Sequence, residues 1–537
     1  MFGWKNNRPS SCWALCALSL LGALSSCKKF AEAQPAAPIL RVSQRNEPAT
    51  LDPQLATLPD EFFIIRALGE GLLTPSPDDG EPQPAVATQW TISPDGRTYT
   101  FTLNPAARWS NGTPVVAADF VASLERALTP ATAAPKAALF FPLKNAEAFY
   151  AGREKDFKEV GVRALTDGQL ELTLTEPQAD FLSLVASGPW IPLHRSQLAP
   201  ASSHEHSPAA GASPQNYIGN GPFILSAWRP HQAIIVTRNP AYRAASSIKL
   251  TAIHFIAFDN GESEERAFRA GQLDVTMSVP LHKLPAYRLS QPPVLRSVPQ
   301  QETRYLAINT TRPPLTDPRV RQALALALNR RTLTEKVLQG GQVPAYTFIP
   351  PGLAHYESGL GLQEDLAAAR RLLAAAGFPQ GRGFPHLELT TWYPASVLEV
   401  IQQVWRRELG IEITLAQREA RTHLVALAAG DYDLALVTAI PDYPSAANLF
   451  TQLTSGHPAN YPHWRNAEFD RLVRAGHQQS SQALRHRAYS AAEKILLEDM
   501  PLIPLYFNTQ NFLIRPAVKN WQTDGLWTRF FAGLTLD

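Results

Sequence analysis

The sequence predicts a mixed α/β protein divided into several lobes. Strand-like alternation and helix-like apolar stripes take turns along the chain with no internal repeat. The 537 residues leave about 510 after an N-terminal export signal, well beyond one typical domain of about 100–200. At 45% apolar and 18% charged, the composition is that of an ordinary globular protein.

The chain opens with Lys5 and Arg8, followed by the apolar run Trp13 to Leu24. That run is about a dozen residues, too short for a helix across a bilayer of about 30 Å, which takes about 20. A basic start, a short apolar core and small residues before a cut make a secretory signal. Leu24-Ser25-Ser26-Cys27 is similar to the bacterial lipobox, in which the cysteine is acylated and becomes the new N-terminus. The alternative is an ordinary signal peptide in which Cys27 is incidental. The only other cysteines, Cys12 and Cys16, leave with the signal, so the expected mature chain has no disulfide and is held by its core. Residues 1–26 are therefore expected as signal and 27–38, polar and Ala/Pro-rich, as a lipid-anchored tether. No later segment has 18 uninterrupted apolar residues.

The body follows element by element. "RTYTFTL" alternates with Tyr99, Phe101 and Leu103 on one face, as a half-buried strand does, after a turn at Asp95-Gly96. From Ala117, "AADFVASLERAL" sets Phe120, Leu124 and Leu128 on one helical stripe. "IKLTAIHFIAF" is a strand, and "EERAFRAGQLDVT" a short helix running into a strand. "RYLAINTT" is a strand. "DPRVRQALALALNRRTLTEKVL" is one long amphipathic helix with Asp317 as N-cap and Pro318 first. "QEDLAAARRLLAAAGF" is a helix closed by Gly377. "HLELTTWY" to "VWRRELGIEITLAQRE" reads strand–helix–strand, and "DYDLALVTAIPDY" is an apolar strand ending at Asp442.

Charge and motifs narrow the function. The net charge of +2 falls to about zero once Lys5 and Arg8 are removed, which argues against nucleic acid or acidic polymers as partners. The 46 prolines against 30 glycines suggest rigid loops. The stretch 199–216 is the most linker-like interior segment. Its His204-Glu205-His206 lacks further ligands and reads as solvated rather than as a metal site. There is no G-x-S-x-G, H-E-x-x-H, Walker loop or C-x-x-C. A binding role is expected, not an enzymatic one, with no cofactor and no metal.

Several segments together resemble extracellular solute-binding proteins of family 5, the oligopeptide- and dipeptide-binding lipoproteins of ATP-driven importers. They include "EPATLDPQLA", "GEGLLTPSPDDGEPQPAVATQWTISPDGRTYTFTLNPAARWSNGTPVVAADFVASLERAL", "IGNGPFILSAWRPHQAIIVTRNPAYR", "RYLAINTTRPPLTDPRVRQALALALNR" and "DYDLALVTAIPDYP", in the family's order. The resemblance implies a type II periplasmic-binding-protein fold of two main lobes with a hinge and an extra inserted lobe. Lobe I would comprise 39–68, 190–295 and 508–537, lobe II 69–189 and lobe III 296–507. It implies a monomeric receptor that captures short peptides between lobes I and III. The receptor would deliver them to a membrane permease with separate ATPase subunits, touching the envelope membrane only through its anchor. In a host with an outer membrane this places it in the periplasm. Alternatives are a non-peptide solute (nickel chelate, haem, oligosaccharide or opine) on the same fold, or a cell-envelope hydrolase or interaction lipoprotein. One departure is Val116, where the family usually has a Thr or Ser helix cap.

A receptor for varied peptides must grip the backbone and charged ends that all peptides share. Residues 55–60 and 437–443 are candidate flanking strands, with Leu58, Ala439 and Ile440 as contacts and Pro59 and Pro441 limiting free donors; otherwise both are core strand ends. Trp109, Tyr217, Trp228, Trp392, Tyr443, Trp464 and Tyr506 are aromatics near lobe edges. Trp392 and Tyr443, at strand ends, are the expected pocket walls. Asp442 suits a turn in Pro-Asp-Tyr-Pro, yet the resemblance implies that it pairs with the ligand's free α-amino group. Relatives often carry an Arg six residues earlier, where this chain has Leu436, so different handling of the ligand's carboxyl end is expected.

Overall fold

The computed structural model describes residues 38–198, 213–353, 356–393 and 395–537. The signal segment, Cys27, the tether up to residue 37 and the His204-Glu205-His206 stretch lie outside the described residues. Residues 38–537 form one compact unit.

Three main sheets organise it. The first runs Ile39–Gln44, Ala252–Ala257, Ala233–Arg238, Phe223–Arg229, parallel between the first two strands and antiparallel beyond. Its core gathers Leu40, Ile64, Phe223, Ile253 and Phe255, together with Phe512 and Phe531 from the end of the chain. The second is an antiparallel sheet of Ala87–Ile92, Thr98–Leu103, Gln169–Thr173 and Val162–Thr166. Against it packs helix Ala117–Leu128 through Phe120, Leu124 and Leu128, the stripe the spacing predicts. Tyr99, Phe101 and Leu103 are buried on one face of their strand, as expected.

The third sheet is mixed, in the order Val343–Pro344, Leu502–Leu513, Leu295–Ile308, Leu434–Ala439, Leu387–Thr391, Ile413–Gln417. Successive strand residues face opposite ways, so each face builds its own core. Leu306, Ile308, Leu434, Leu436 and Ile503 pack on one side with Trp405 and Leu373. Tyr305, Ala307, Ala435, Val437 and Ala439 pack on the other with Phe450 and Phe469. Burial of each large apolar side chain contributes about 1.5–3 kcal/mol.

Local chemistry explains where elements begin and end. Val116 offers no side-chain cap; Asp119, three residues into the helix, accepts the Val116 N–H at 3.0 Å and the Trp109 indole N–H at 3.0 Å. Asp317 caps helix Pro318–Leu326 by accepting the Arg319 N–H. The expected long helix stops there. Asn329 starts a new turn by accepting the Thr332 N–H, and a π-turn Leu333–Leu338 follows. An Asn side chain that bonds the local backbone competes with helix continuation. After helix Gly261–Arg269 the chain makes only isolated bridges at Val275, not the expected strand.

Candidate ligand-binding cleft

A cavity of about 860 Å3 lies where the three sheets' surroundings meet. One wall is helix Pro59–Leu68 from the first core; a second is residues 135–142 and 175–189 beside the second sheet. The third is the segment leaving strand Leu434–Ala439, and Asp524 to Thr528 closes a further side. Its walls are largely apolar, with Phe62, Phe63, Leu139, Phe141 and Trp527 prominent.

Asp442 sits on this wall. Its own N–H is fixed by Asn448 Oδ1 at 2.9 Å, which aims the turn after Ile440 into the cleft. Its carboxylate accepts from Lys136 Nζ at 2.6 Å, across the cavity and 306 residues away in sequence. Both side chains are only about a quarter to a fifth exposed (24% and 21%). The ammonium also lies over the Phe62 ring, 5.5 Å from its centroid. Phe62 is in turn pressed against Gly188, where no side chain larger than hydrogen fits beside the ring.

Residues 55–60 do not form the expected strand. They make a turn that enters helix Pro59–Leu68, and Leu58 is its N-terminal flank. Leu58 has no capping oxygen, so buried Glu61 reaches back. One of its carboxylate oxygens accepts the Thr57 N–H at 2.7 Å and the Leu58 N–H at 2.9 Å; the other accepts the Ala49 N–H at 3.0 Å. Pro59 has no N–H. The donors that a ligand strand would need on this side are therefore already used, although the Leu58 side chain, 46% exposed, does line the cavity.

Other expected residues separate clearly. Ile440 and Tyr443 line the cavity, while Ala439 is buried behind it as the last ladder partner of Thr303. The Tyr443 ring is seated in the core of the second sheet, and burial pushes its hydroxyl well above the ordinary phenol range. Trp392 is not brought to the cleft: it is 47% exposed and packs on Tyr393, so its place at a strand end did not make it a wall. Trp109, Trp228 and Trp464 are packing residues whose indole N–H groups donate to Asp119, Glu47 and Asp499. Leu436 is buried inside the third sheet, away from the cavity.

The structure adds residues that no local pattern marked. Arg66, one helical turn beyond Phe62, faces the cavity and, among the described residues, donates one long hydrogen bond of 3.4 Å to Ala186 O. Burial pushes its guanidinium down from the ordinary range, and the Asp524 carboxylate pulls it back up. Trp527 is held by its indole N–H donating to Glu302 at 3.1 Å; Glu302 also pairs with Arg304 at 2.6 Å. His457 and His477 line the cavity, and burial pushes both imidazoles below their usual range. Among the described residues no cluster of three or more His, Cys, Asp or Glu side chains is arranged to hold a metal ion. No helix among them is long and apolar enough to cross a membrane.

Residues 81–461 match the family described as bacterial extracellular solute-binding proteins, family 5 (middle). The chain belongs to that family. It is 32% identical over 499 residues to the probable deoxycholate-binding periplasmic protein YgiS of Escherichia coli, covering 90% of this chain and 91% of that protein. It is equally 32% identical over 492 residues to the periplasmic murein peptide-binding protein MppA of the same organism, covering 89% of each. The solved structure of MppA superposes with a TM-score of 0.84 over 93% of this chain and 99% of that one, at 30% identity. The unliganded open form of MppA gives only 0.73 at the same identity, over 93% and 98%. Family membership makes this a binding protein of mixed α/β fold and not an enzyme. Fold alone does not choose the ligand.

Proposed function

We propose that this chain is the substrate-binding component of an ABC importer that takes short peptides into the cleft and hands them to a membrane permease. The observation that carries the reading is the Asp442–Lys136 pair. The wall of the cleft already holds an ammonium group on a carboxylate at 2.6 Å, in a half-buried setting open to one side. A peptide's α-ammonium has the same chemistry and would take the place of Lys136. Extended peptide backbone then lies along the cavity, with variable side chains in its apolar and water-accessible volume. The name of MppA, a murein peptide-binding protein, supports the peptide class. The three sheets and their separate cores support a three-lobed division (39–68, 190–295 and 508–537; 69–189; 296–507) that closes by a hinge.

The test is calorimetry on wild type and Asp442→Asn with one tight peptide and its N-acetylated form. Losing the counter-charge of an enclosed ammonium costs about 3–5 kcal/mol, or about 100-fold or more in affinity. Wild type is expected to lose that much on acetylation, while Asp442→Asn hardly distinguishes the two peptides. Equal wild-type affinities remove Asp442 from this role. That outcome favours a second reading, an apolar anion such as a bile acid, which the first relative's name and the largely apolar walls make concrete. Deoxycholate is therefore titrated alongside.

Anchoring belongs to the same proposal. Cys27, at the end of the apolar run, is acylated and holds the protein at the envelope membrane, where two chains give a stable anchor and one is marginal. Cys27→Ser is expected to leave the membrane fraction after a high-salt wash; retention there rejects the anchor.

A further inference from the structure

Lys136 does more than mark the ammonium position. Pro135 precedes it and the 3-10 turn Ala137–Phe140 follows, so its main chain is fixed at the wall of the cleft. When a ligand ammonium takes Asp442, the Lys136 ammonium is released inside the same enclosed space. A half-buried charge that loses its partner is disfavoured, though less than a fully buried one. The other acids facing the cleft are already engaged: Glu176 accepts from Gln478 Nε2, and Asp524 accepts the N–H groups of Leu526 and Thr528. Arg66 lines the same cavity, one turn of helix from the Phe62 ring that carries Lys136, with a long bond to Ala186 O and the Asp524 carboxylate near it. Lys136 thus holds the carboxylate that the ligand would occupy, and Arg66 shares its cavity.

We propose that the ligand is a peptide carrying a carboxylate within its first two residues. Its ammonium pairs with Asp442, its carboxylate pairs with the released Lys136, and Arg66 supplies a second donor. The exchange replaces one ion pair by two and gives Lys136 a new partner; the peptide's C-terminal carboxylate lies outside this exchange. The proposal rests on the peptide reading above and names the class of peptide.

Calorimetry with Glu-Ala-Ala and Ala-Glu-Ala against Gln-Ala-Ala and Ala-Gln-Ala tests it on wild type, Lys136→Met and Lys136→Arg, with thermal melts to verify folding. The isosteric pairs differ only in one charge. Wild type is expected to prefer at least one glutamate peptide by about 10- to 100-fold, the worth of a charge-assisted hydrogen bond. Lys136→Met is expected to compress that ratio to about threefold or less, and Lys136→Arg to preserve it. Equal wild-type affinities for both pairs overturn the proposal, and so does a preference that survives in Lys136→Met. If the Met variant does not fold, the wild-type comparison still decides. Peptides that bind in an acetylation-sensitive way without a glutamate preference reject this inference and leave the peptide reading standing. Binding by none of them rejects both.

Discussion

At the cleft, Gly188 and Phe62 are fitted to one another with no slack. A Cβ built at 188 would fall 2.3 Å from Phe62 Cδ1 and 2.4 Å from Cε1, so Gly188→Ala must move the ring. Phe62 lies under the Lys136 ammonium, and moving it disturbs the charge pair above. Overpacking of this kind costs about 1–3 kcal/mol. Gly188→Ala is expected to lower peptide affinity about tenfold or more in calorimetry; unchanged affinity would show that the ring does not position Lys136. The cleft histidines act differently. Burial lowers both the His457 and His477 values, against the upward pull of Asp442 and Asp180 respectively. Above the unfolded value of about 6.5, each is neutral folded or unfolded. As pH falls, the unfolded chain takes up the proton first, so their contribution to stability is lost through the lowered folded values. The loss is at most about 1.4 kcal/mol per pH unit per group. His477→Gln, whose amide can still meet Thr451 Oγ1, is expected to show a smaller drop in Tm between pH 7 and 5.5 than wild type. Parallel Tm curves for the two proteins reject that role for His477.

Among elements, helix Pro59–Leu68 matters most, because its first turn forms a lip of the cleft. Glu61 substitutes for the absent cap at Leu58 by accepting three backbone N–H groups from a site only 2% exposed. Glu61→Gln removes the charge and turns an amide NH2, itself a donor, toward a backbone N–H that needs an acceptor. It is expected to cost about 1.5–3 kcal/mol, read as a lower urea midpoint at unchanged m-value. A midpoint equal to wild type would mean that those three donors find other partners. The same element shows what was legible in the sequence. Helices Ala117–Leu128 and Pro318–Leu326 announced themselves by apolar spacing and, in the second, by an Asp-Pro start. So did the strand Thr98–Leu103, because local period and burial agree there. Residues 55–60 also look extended, but Leu55 and Ala56 donate to Asp52 O and Thr57 and Leu58 to Glu61, whose reach back is invisible to periodicity. Asp442 was reachable only through family resemblance. Lys136, Arg66 and Trp527 were not reachable, since what makes them matter is contact with residues far away in sequence. Trp392 is the converse: a sound local argument for a pocket wall, and a side chain that the fold leaves outside.

At the scale of the whole molecule, two long strands join the first core to the third sheet. Leu295–Ile308 and Leu502–Leu513 run antiparallel; their outer ends pack with the first core and its neighbours, and their inner ends lie within the third sheet. Between Pro299 and Thr303 the register shifts, with Thr509 and Phe507 as the flanking partners, so the ladder is interrupted where the ribbon passes between the cores. Bulges of this kind bend a ribbon and loosen its pairing, which suits a hinge. Away from the ribbon, contacts bridge the second-sheet side to the segment after the third sheet. Lys136 pairs with Asp442, Ser445 donates to Asp180, and Gln478 donates to Glu176. On the proposed hinge, an ion pair across the cleft forms only in the shut state and so would bias the protein toward closure before any ligand arrives. A partly exposed pair contributes about 1 kcal/mol, enough to shift the closed-to-open ratio about fivefold. Lys136→Met is thus expected to give a larger radius of gyration than wild type in peptide-free small-angle scattering. Saturating peptide should reduce the radius of both proteins toward a common value, since the ligand then bridges the two sides itself. Equal peptide-free radii would show that the pair contributes nothing to closing. A wild-type radius that also ignores saturating peptide would remove the hinge.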